Sequence, residues 1–276
     1  MKHLFAAWPQ FEPLIKERLV VLFLDYDGTL TPIVEHPRLA KLSSQGKKLL
    51  RQTAHTEGVR TAIVSGRSLA DLEALVGVPG LMYVGNHGLE FEGPAMHFTH
   101  PEALEAKELI QKIKGRLKEA LRPFRGILVE DKVFTLSVHY RRLAQDNAEK
   151  AQAVFSKILA PYLAKSQVVL TEGKKVWEVR PAIRWNKGTM VLWLYGRMLA
   201  HYSQNLFAVY VGDDRTDEDA FSALRRVGIG VKVTPLEDAS SHAAYFLRSP
   251  GEVFEFLNRL KTLKGSHAKS RTPARV

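Results

Sequence analysis

The chain of 276 residues contains no cysteine. That excludes a disulfide framework, a thiolate metal centre and a cysteine nucleophile, and it fits a reducing compartment. Long apolar runs are also missing, and none approaches the ~20 residues a helix needs to cross a bilayer. The opening MKHLFAAWPQFEP has one early lysine, but its apolar part ends at Pro9, so it reads as a loop or first helix rather than a signal peptide. A cytoplasmic protein without a membrane partner is expected. Acid is scarce: 29 Asp and Glu stand against 40 Lys and Arg, a net charge of +11. Such a balance invites nucleic acid. Much of the excess is local, however: Arg259, Lys261, Lys264, Lys269, Arg271 and Arg275 have no Asp or Glu among them. The Gly-, Ser- and Pro-bearing end, 266–276, reads as a solvated, disordered tail. Aromatic and basic residues do not interleave as a single-strand platform requires. No nucleic-acid partner is therefore expected, and a small anionic substrate suits the charge as well.

Three segments share one grammar: LVVLFLDYDG (Leu19 to Gly28), RTAIVSGR (Arg60 to Arg67) and LFAVYVGDD (Leu206 to Asp214). Each is a mostly apolar run that stops at small polar or acidic residues, as suits strands buried on both faces of a parallel sheet. Helical patterns at Ser44–Thr53 and Ser68–Leu75 lie between them, the alternation of an α/β fold. Shorter strands are expected at LMYVGN, GIGVKV and AAYFLR. Ligands of open α/β sheets sit outside the carboxyl ends of the strands, so Asp25, Asp27, Ser65, Gly66, Asp213 and Asp214 are expected to line one crevice.

The middle of the chain reads differently. A helix over Leu104–Leu121 has Ile110, Ile113, Leu117 and Leu121 on one face. ILVEDKVFTLSVHYRR follows as two strands with a turn near Asp131; then come a helix from Asn147 to Leu163 and more strand in QVVLTEGKKVWEVRP. This mixture suggests an α+β insertion, a cap. The expected organisation is a core of residues 1–99 and 181–265, a cap of 100–180 and the tail 266–276. Strand parity puts Phe134, Leu136, Val138, Trp177 and Val179 under the cap helices. The opposite face then carries Arg141, Lys174 and Glu178, with Glu130 joining if Val129 is buried, and His139 as a surface residue of the same sheet. Charged groups on a face that closes over a crevice suit sugar hydroxyls.

Asp25 and Asp27 are separated only by Tyr26, and Gly28 signals a turn, so the two carboxylates can diverge: one attacks while the other handles a proton. Several carboxylates in one crevice repel one another unless a cation neutralises them. A hard divalent ion, most simply Mg²⁺, meets that need. His97 and His100 look like loop residues rather than zinc ligands.

DYDGTL, VSGR, Lys187 in WNKG, and GDDRTDED stand in the order and spacing of the four motifs of the haloacid dehalogenase superfamily, which this chain resembles. GNHGLE, LSVHYR, GKKVWEVRP, WNKG and GDDRTDE together resemble the trehalose-6-phosphate phosphatases over nearly the whole chain. The resemblance implies a Rossmann-like core with an inserted α+β cap, and hydrolysis of trehalose 6-phosphate to trehalose and phosphate. It implies that Asp25 attacks phosphorus, and that Asp27 protonates the leaving sugar oxygen and then activates water. Ser65 and Lys187 donate to the phosphoryl oxygens. Mg²⁺ is held by the Asp25 carboxylate, the Asp27 carbonyl and Asp213, with Asp214 in support. Substrate contacts are implied at Gly66, Arg67, Asn86, His87 and Gly88 of the core and at Glu130, Lys132, Arg141, Lys174 and Glu178 of the cap.

Plainer readings compete. Asp25 and Asp27 suit turn positions. Ser65 suits a helix cap, although Ser68 can fill that role. Lys187 follows a capping Asn186, where a first-turn cation is unfavourable, and that conflict favours function. TDED from Thr216 reads as a capping-box variant, which leaves Asp217 and Asp219 outside the site. The rival activities are a phosphatase or mutase for another phosphorylated sugar, such as sucrose phosphate, a glycosyl phosphoglycerate or a hexose phosphate. The rival class is an anionic-surface or nucleic-acid binder acting through the basic tail.

Overall fold

The structure is a computed structural model that describes residues 1–34, 36–173, 175–202, 205–235 and 240–271. It divides into two compact units, Met1–His97 together with the chain from Trp185 onward, and Phe98–Arg184. In chain order the first stretch holds β1 (Lys2–His3), α1 (Trp8–Glu17), β2 (Leu19–Asp25), α2 (Ser44–Ala54), β3 (Val59–Val64), α3 (Leu69–Val76), β4 (Met82–Gly85), β5 (Glu90–Gly93) and β6 (Met96–Thr99). The middle holds α4 (Pro101–Leu121), β7 (Leu128–Asp131), β8 (Leu136–His139), α5 (Gln145–Ala164), β9 (Val168–Gly173) and β10 (Val176–Pro181). The last stretch holds α6 (Lys187–Tyr202), β11 (Leu206–Gly212), α7 (Asp217–Leu224), β12 (Gly228–Val233), β13 (Tyr245–Leu247) and α8 (Pro250–Arg271).

The larger unit is built on a sheet of order β1-β13-β12-β11-β2-β3-β4-β5-β6, parallel from β1 to β4 and antiparallel between β4 and β5. The two most apolar runs, β2 and β11, lie side by side at its centre, and every residue of both is buried. Burying a large apolar side chain is worth roughly 1.5–3 kcal/mol, so the driest runs take the middle. Alternate residues face opposite layers. Leu22, Leu24, Val209 and Val211 join a core with Phe11 and Ile15 of α1, Leu50 of α2, and Phe256 and Leu260 of α8. Tyr210 faces the other way, edge-on to Phe221 of α7. From β2 the order runs through β3 and β4 to one side and through β11 and β12 to the other. The switch in strand order therefore lies between β2 and β11, where open α/β sheets bind ligands. The architecture is α/β, as expected.

Three helix starts carry a side-chain cap. Ser43 Oγ accepts from Gly46 N at 3.0 Å and Ser68 Oγ from Asp71 N at 3.3 Å. Asn186 Oδ1 accepts from Thr189 N at 2.9 Å at the start of α6. The cap of α3 is thus Ser68, and Ser65 is not needed for it.

The smaller unit is an antiparallel sheet of order β7-β8-β10-β9. Leu136, Val138, Trp177 and Val179 pack against Ile110, Ile113 and Leu117 of α4 and Phe155 and Leu159 of α5. Trp177 stacks on Tyr140 at 4.2 Å and on Phe155 at 4.8 Å. Phe134 is buried but is not a member of that cluster, because β8 begins only at Leu136.

One expectation needs correction at the C-terminus. Residues 266–271 are not a disordered tail but the end of α8. The helix is already nucleated by the packing of Val253, Phe256, Leu257 and Leu260, and extending an existing helix costs little. Residues 272–276 lie outside the described residues. Lys264 is no solvated tail residue either: it is buried, and its ammonium reaches the Lys16 carbonyl and the Arg18 carbonyl at the end of α1. Among the described residues no helix is long and apolar enough to cross a membrane.

Candidate active site

Asp25 is the last residue of β2. Asp213 directly follows β11, so the register of the parallel pair brings it alongside. Lys187 opens α6 and Asp217 opens α7. The Lys187 ammonium donates to Asp25 Oδ1 at 2.8 Å and to Asp217 Oδ1 at 2.7 Å, all three groups being buried. Carboxylate oxygens of Asp25, Asp213 and Asp217 lie within 4.8 Å of one another. Burial pushes the Asp25 carboxyl well above the ordinary carboxylate range; Lys187 opposes this, while Asp217 and Asp213 add to it. Burial works to lower Lys187, but Asp217 and Asp25 more than offset it and hold the ammonium well above its ordinary value. Three carboxylates thus face one ammonium, an excess of negative charge that a cation relieves. The donors are all oxygen, which fits a hard divalent ion.

The sequence pattern places Asp217 in a capping box, and the structure corrects this. Thr216 makes no side-chain cap bond to α7. Asp217 instead turns inward, accepting from Lys187 and from Tyr210 Oη at 2.7 Å on Oδ1 and from Asp214 N at 2.9 Å on Oδ2. The one sequence signal for this is Gly212: a Cβ there would lie 2.4 Å from the Asp217 carboxylate. Asp214 needs the opposite correction. Its carboxylate turns to the backbone N–H of Arg215 and is not part of the acidic trio, because adjacent residues in a turn point apart.

Gly28 has a φ of +89°, and a Cβ on it would lie 2.2 Å from Asp213 Oδ2. Only glycine lets the turn after Asp27 pass so close to that carboxylate. Thr29 Oγ1 donates to Asp213 Oδ1 at 3.4 Å. The Asp27 side chain leaves this cluster and meets Arg67, whose Nε and Nη2 donate to its two oxygens at 2.7 and 2.6 Å. Arg67, expected at the substrate, is instead buried and committed to Asp27, and it donates also to the Pro37 carbonyl at 2.8 Å.

Ser65 follows β3 and accepts from Arg67 N at 3.2 Å on its hydroxyl. The next loop is locked onto it: Asn86 N donates to the Arg67 carbonyl at 2.7 Å and His87 N to the Ser65 carbonyl at 3.0 Å. Asn86 and His87 have φ of 47° and 57°, left-handed values uncommon for residues with a Cβ. Glu90 offsets part of the strain by accepting from Asn86 Nδ2 at 2.5 Å and Leu69 N at 3.3 Å. Burial raises its carboxyl above the ordinary value, against the pull of Asn86. The His87 ring lies over Gly66, where a Cβ would approach it to 2.3 Å, and a Cβ on Gly88 would meet Met190. Asp25, Asp27, Ser65, Gly66, Arg67, Asn86, His87, Gly88, Lys187 and Asp213 are therefore linked in one neighbourhood of the larger unit.

The polar face of the smaller unit has a hub of its own. Glu178 accepts from Arg180 Nη2 at 2.6 Å, Lys132 Nζ at 3.3 Å, Ser137 Oγ at 3.4 Å and Thr171 Oγ1 at 3.3 Å. Glu130, opposite Ser137 in the register, meets His139 Nε2 at 2.8 Å. Glu130 and Glu178 thus share the face that parity assigned, and Lys132, just past β7, reaches Glu178. β8 stops at His139 and the chain turns, so Arg141 lies exposed beyond the strand. Tyr140 stacks on Trp177, and its N–H donates to the Lys175 carbonyl at 3.2 Å. Lys174 lies outside the described residues. Arg180 joins the hub, a contact that i, i+2 parity with Glu178 makes available.

A family model described as trehalose-phosphatase matches residues 23–251. Over 280 residues the chain is 37% identical to "Probable trehalose-phosphate phosphatase D" of Arabidopsis thaliana, covering 96% of this chain and 74% of that one. Over 280 residues it is also 37% identical to "Trehalose 6-phosphate phosphatase RA3" of Zea mays, covering 95% and 76%. Among solved structures, the C-terminal domain of trehalose-6-phosphate phosphatase of C. albicans superimposes with a TM-score of 0.74 at 26% identity, covering 91% of this chain and 96% of that one. With the motif order and the Asp25–Lys187–Asp213 cluster, these matches lead to one conclusion: the chain belongs to the trehalose-phosphatase family.

Proposed function

We propose that the protein hydrolyses trehalose 6-phosphate to trehalose and phosphate, with Asp25 as the nucleophile. The observation that carries this is a buried carboxylate at the end of the central strand, held at 2.8 Å by an ammonium that has a third N–H to offer. Asp25 attacks phosphorus and forms an aspartyl phosphate as the bond to the sugar oxygen breaks. Asp27 gives its proton to that oxygen, a poor leaving group without one, and then takes a proton from the water that attacks phosphorus and frees Asp25. Lys187 and the Ser65 hydroxyl donate to the phosphoryl oxygens, where the negative charge of the transition state spreads.

Asp25 and Asp213, with the Asp27 carbonyl, are the groups suited to hold Mg²⁺, and Asp217 orients Lys187 beside them. When bound, the ion neutralises the carboxylates and the phosphoryl charge. In the smaller unit, Glu178, Glu130 and Lys132 have the acceptors and donors to read sugar hydroxyls. The experiment is release of phosphate from trehalose 6-phosphate, sucrose 6-phosphate, glucose 6-phosphate and a glycosyl phosphoglycerate, by the wild type and by Asp25→Asn. Preference for trehalose 6-phosphate, abolished in a folded Asp25→Asn variant, supports the reading. Preference for another ester, or a variant that keeps its rate, overturns it.

A further inference from the structure

Among the described residues of the larger unit, Arg67 is the most deeply buried cation that the mechanism leaves without a task. Its guanidinium meets Asp27 through two parallel bonds of 2.7 and 2.6 Å, while the Asp27 side chain itself remains 41% exposed. The fork is anchored from behind by the Pro37 carbonyl at 2.8 Å and by the Tyr26 ring at 5.5 Å. The backbone that carries it is pinned by Asn86 N, and Asn86 is pinned in turn by Glu90. Buried side chain, loop and turn thus converge on one exposed carboxylate.

We propose that Arg67 is a positioning residue for the acid step: it fixes the plane of the Asp27 carboxyl group so that a proton held at an outward site points at the leaving oxygen. A carboxylate has about four lone-pair sites, and a two-pronged guanidinium uses one on each oxygen. One site on each oxygen remains on the exposed side. The proton passes from there to the sugar oxygen as the P–O bond breaks, and Asp27 regains it from water in the second step. A lysine lacks the planar fork and holds that plane only partly, as a point charge. The proposal rests on the reading of Asp27 as the acid.

The test uses kcat/KM, which covers the chemistry up to departure of the leaving group, on aryl phosphates whose phenols are graded in acidity. Aryl groups carry no sugar, so any part Arg67 plays in sugar binding does not enter. The wild type should depend weakly on phenol acidity and Asp27→Asn steeply. Arg67→Met should approach Asp27→Asn, losing about 10- to 100-fold on the poorest leaving group and little on the best. Arg67→Lys should fall between, and Asp27→Asn with Arg67→Met should be no steeper than Asp27→Asn alone. A uniform loss across the series, or a wild-type slope in both Arg67 variants while Asp27→Asn is steep, overturns the proposal. A wild-type slope in Asp27→Asn removes the acid itself, and the proposal with it. Thermal melts accompany each variant, and Arg67→Lys carries the test if Arg67→Met does not fold.

Discussion

The Lys187 ammonium sits 2.8 Å from the Asp25 carboxylate across 162 positions of chain, and both are buried. Asp217 holds the same ammonium from the other side. Breaking a buried pair by removing one partner costs about 3–5 kcal/mol, since the other charge is left unpaired. Lys187→Met should therefore both abolish turnover and lower stability by that order. Adding Asp217→Asn should restore part of the stability and none of the activity. Chemical denaturation checks this; a Lys187→Met variant as stable as the wild type would contradict the pairing.

Divalent cation should stabilise the fold, with a pH dependence of defined sign. Burial raises the Asp25 carboxyl in the folded protein. Without a cation, its contribution to stability is present below the unfolded value of about 4 and is lost as pH rises through the raised folded value. Mg²⁺ competes with that proton. At 100 times its dissociation constant the ion should add about 2.7 kcal/mol. The rise in melting temperature on adding Mg²⁺ to chelated protein should be largest near pH ~8 and shrink toward pH ~5. An increment that grows on acidification would contradict the assignment.

Gly28→Ala tests the geometry of the acidic cluster. The new methyl would collide with the Asp213 carboxylate, and the backbone there has a φ of +89°. The left-handed conformation alone costs about 1–2 kcal/mol with a Cβ. The Mg²⁺ concentration for half-maximal activity should rise at least about tenfold as Asp213 is displaced, a loss equal to about 1.4 kcal/mol. Unchanged Mg²⁺ dependence would place Asp213 outside the site.

Glu178→Gln tests the polar face of the smaller unit. Glu178 gathers Lys132, Arg180, Ser137 and Thr171. Gln keeps the shape and loses the charge that orders its two cations. The kcat/KM for trehalose 6-phosphate should fall about 10- to 100-fold, the scale of one or two charged hydrogen bonds, while that for p-nitrophenyl phosphate should stay within about threefold. Equal losses would show that the hub does not read the sugar.

Much of this is legible in the sequence because burial leaves a plain mark. The runs at β2, β3 and β11 are apolar without alternation, so a parallel sheet and the convergence of Asp25, Ser65 and Asp213 follow from strand ends alone. Parity likewise puts Glu130 and Glu178 on one face. It does not reach Arg141, because β8 ends at His139 and Arg141 lies beyond the strand. Asp217 is easily misread because a carboxylate in a first helical turn looks the same whether it caps a helix or turns inward. The Arg67–Asp27 pair is hidden because a sequence does not show that the two face each other across two loops. The reach of α8 is hidden because its last turn is polar, and only the packing upstream explains it.

The C-terminal helix gives a truncation test. Removing residues from Ser266 onward leaves the packed Val253, Phe256, Leu257 and Leu260 and the Lys264 contact in place, so activity should stay within about twofold and stability within about 0.5 kcal/mol. Cutting at Thr262 also removes Lys264, whose buried ammonium closes the end of α1. That shorter form should lose about 1–3 kcal/mol. Equal melting temperatures for the two truncations would deny Lys264 this role.

The most direct test of the account is capture of the phosphorylated protein during turnover of trehalose 6-phosphate with Mg²⁺. Quenched enzyme reduced with borohydride should yield homoserine at position 25 by mass spectrometry. None should appear at Asp27, Asp213 or Asp217, and none in chelated enzyme. Homoserine at another position, or steady phosphate release with Asp25 never modified, would contradict the assignment of Asp25 as the nucleophile.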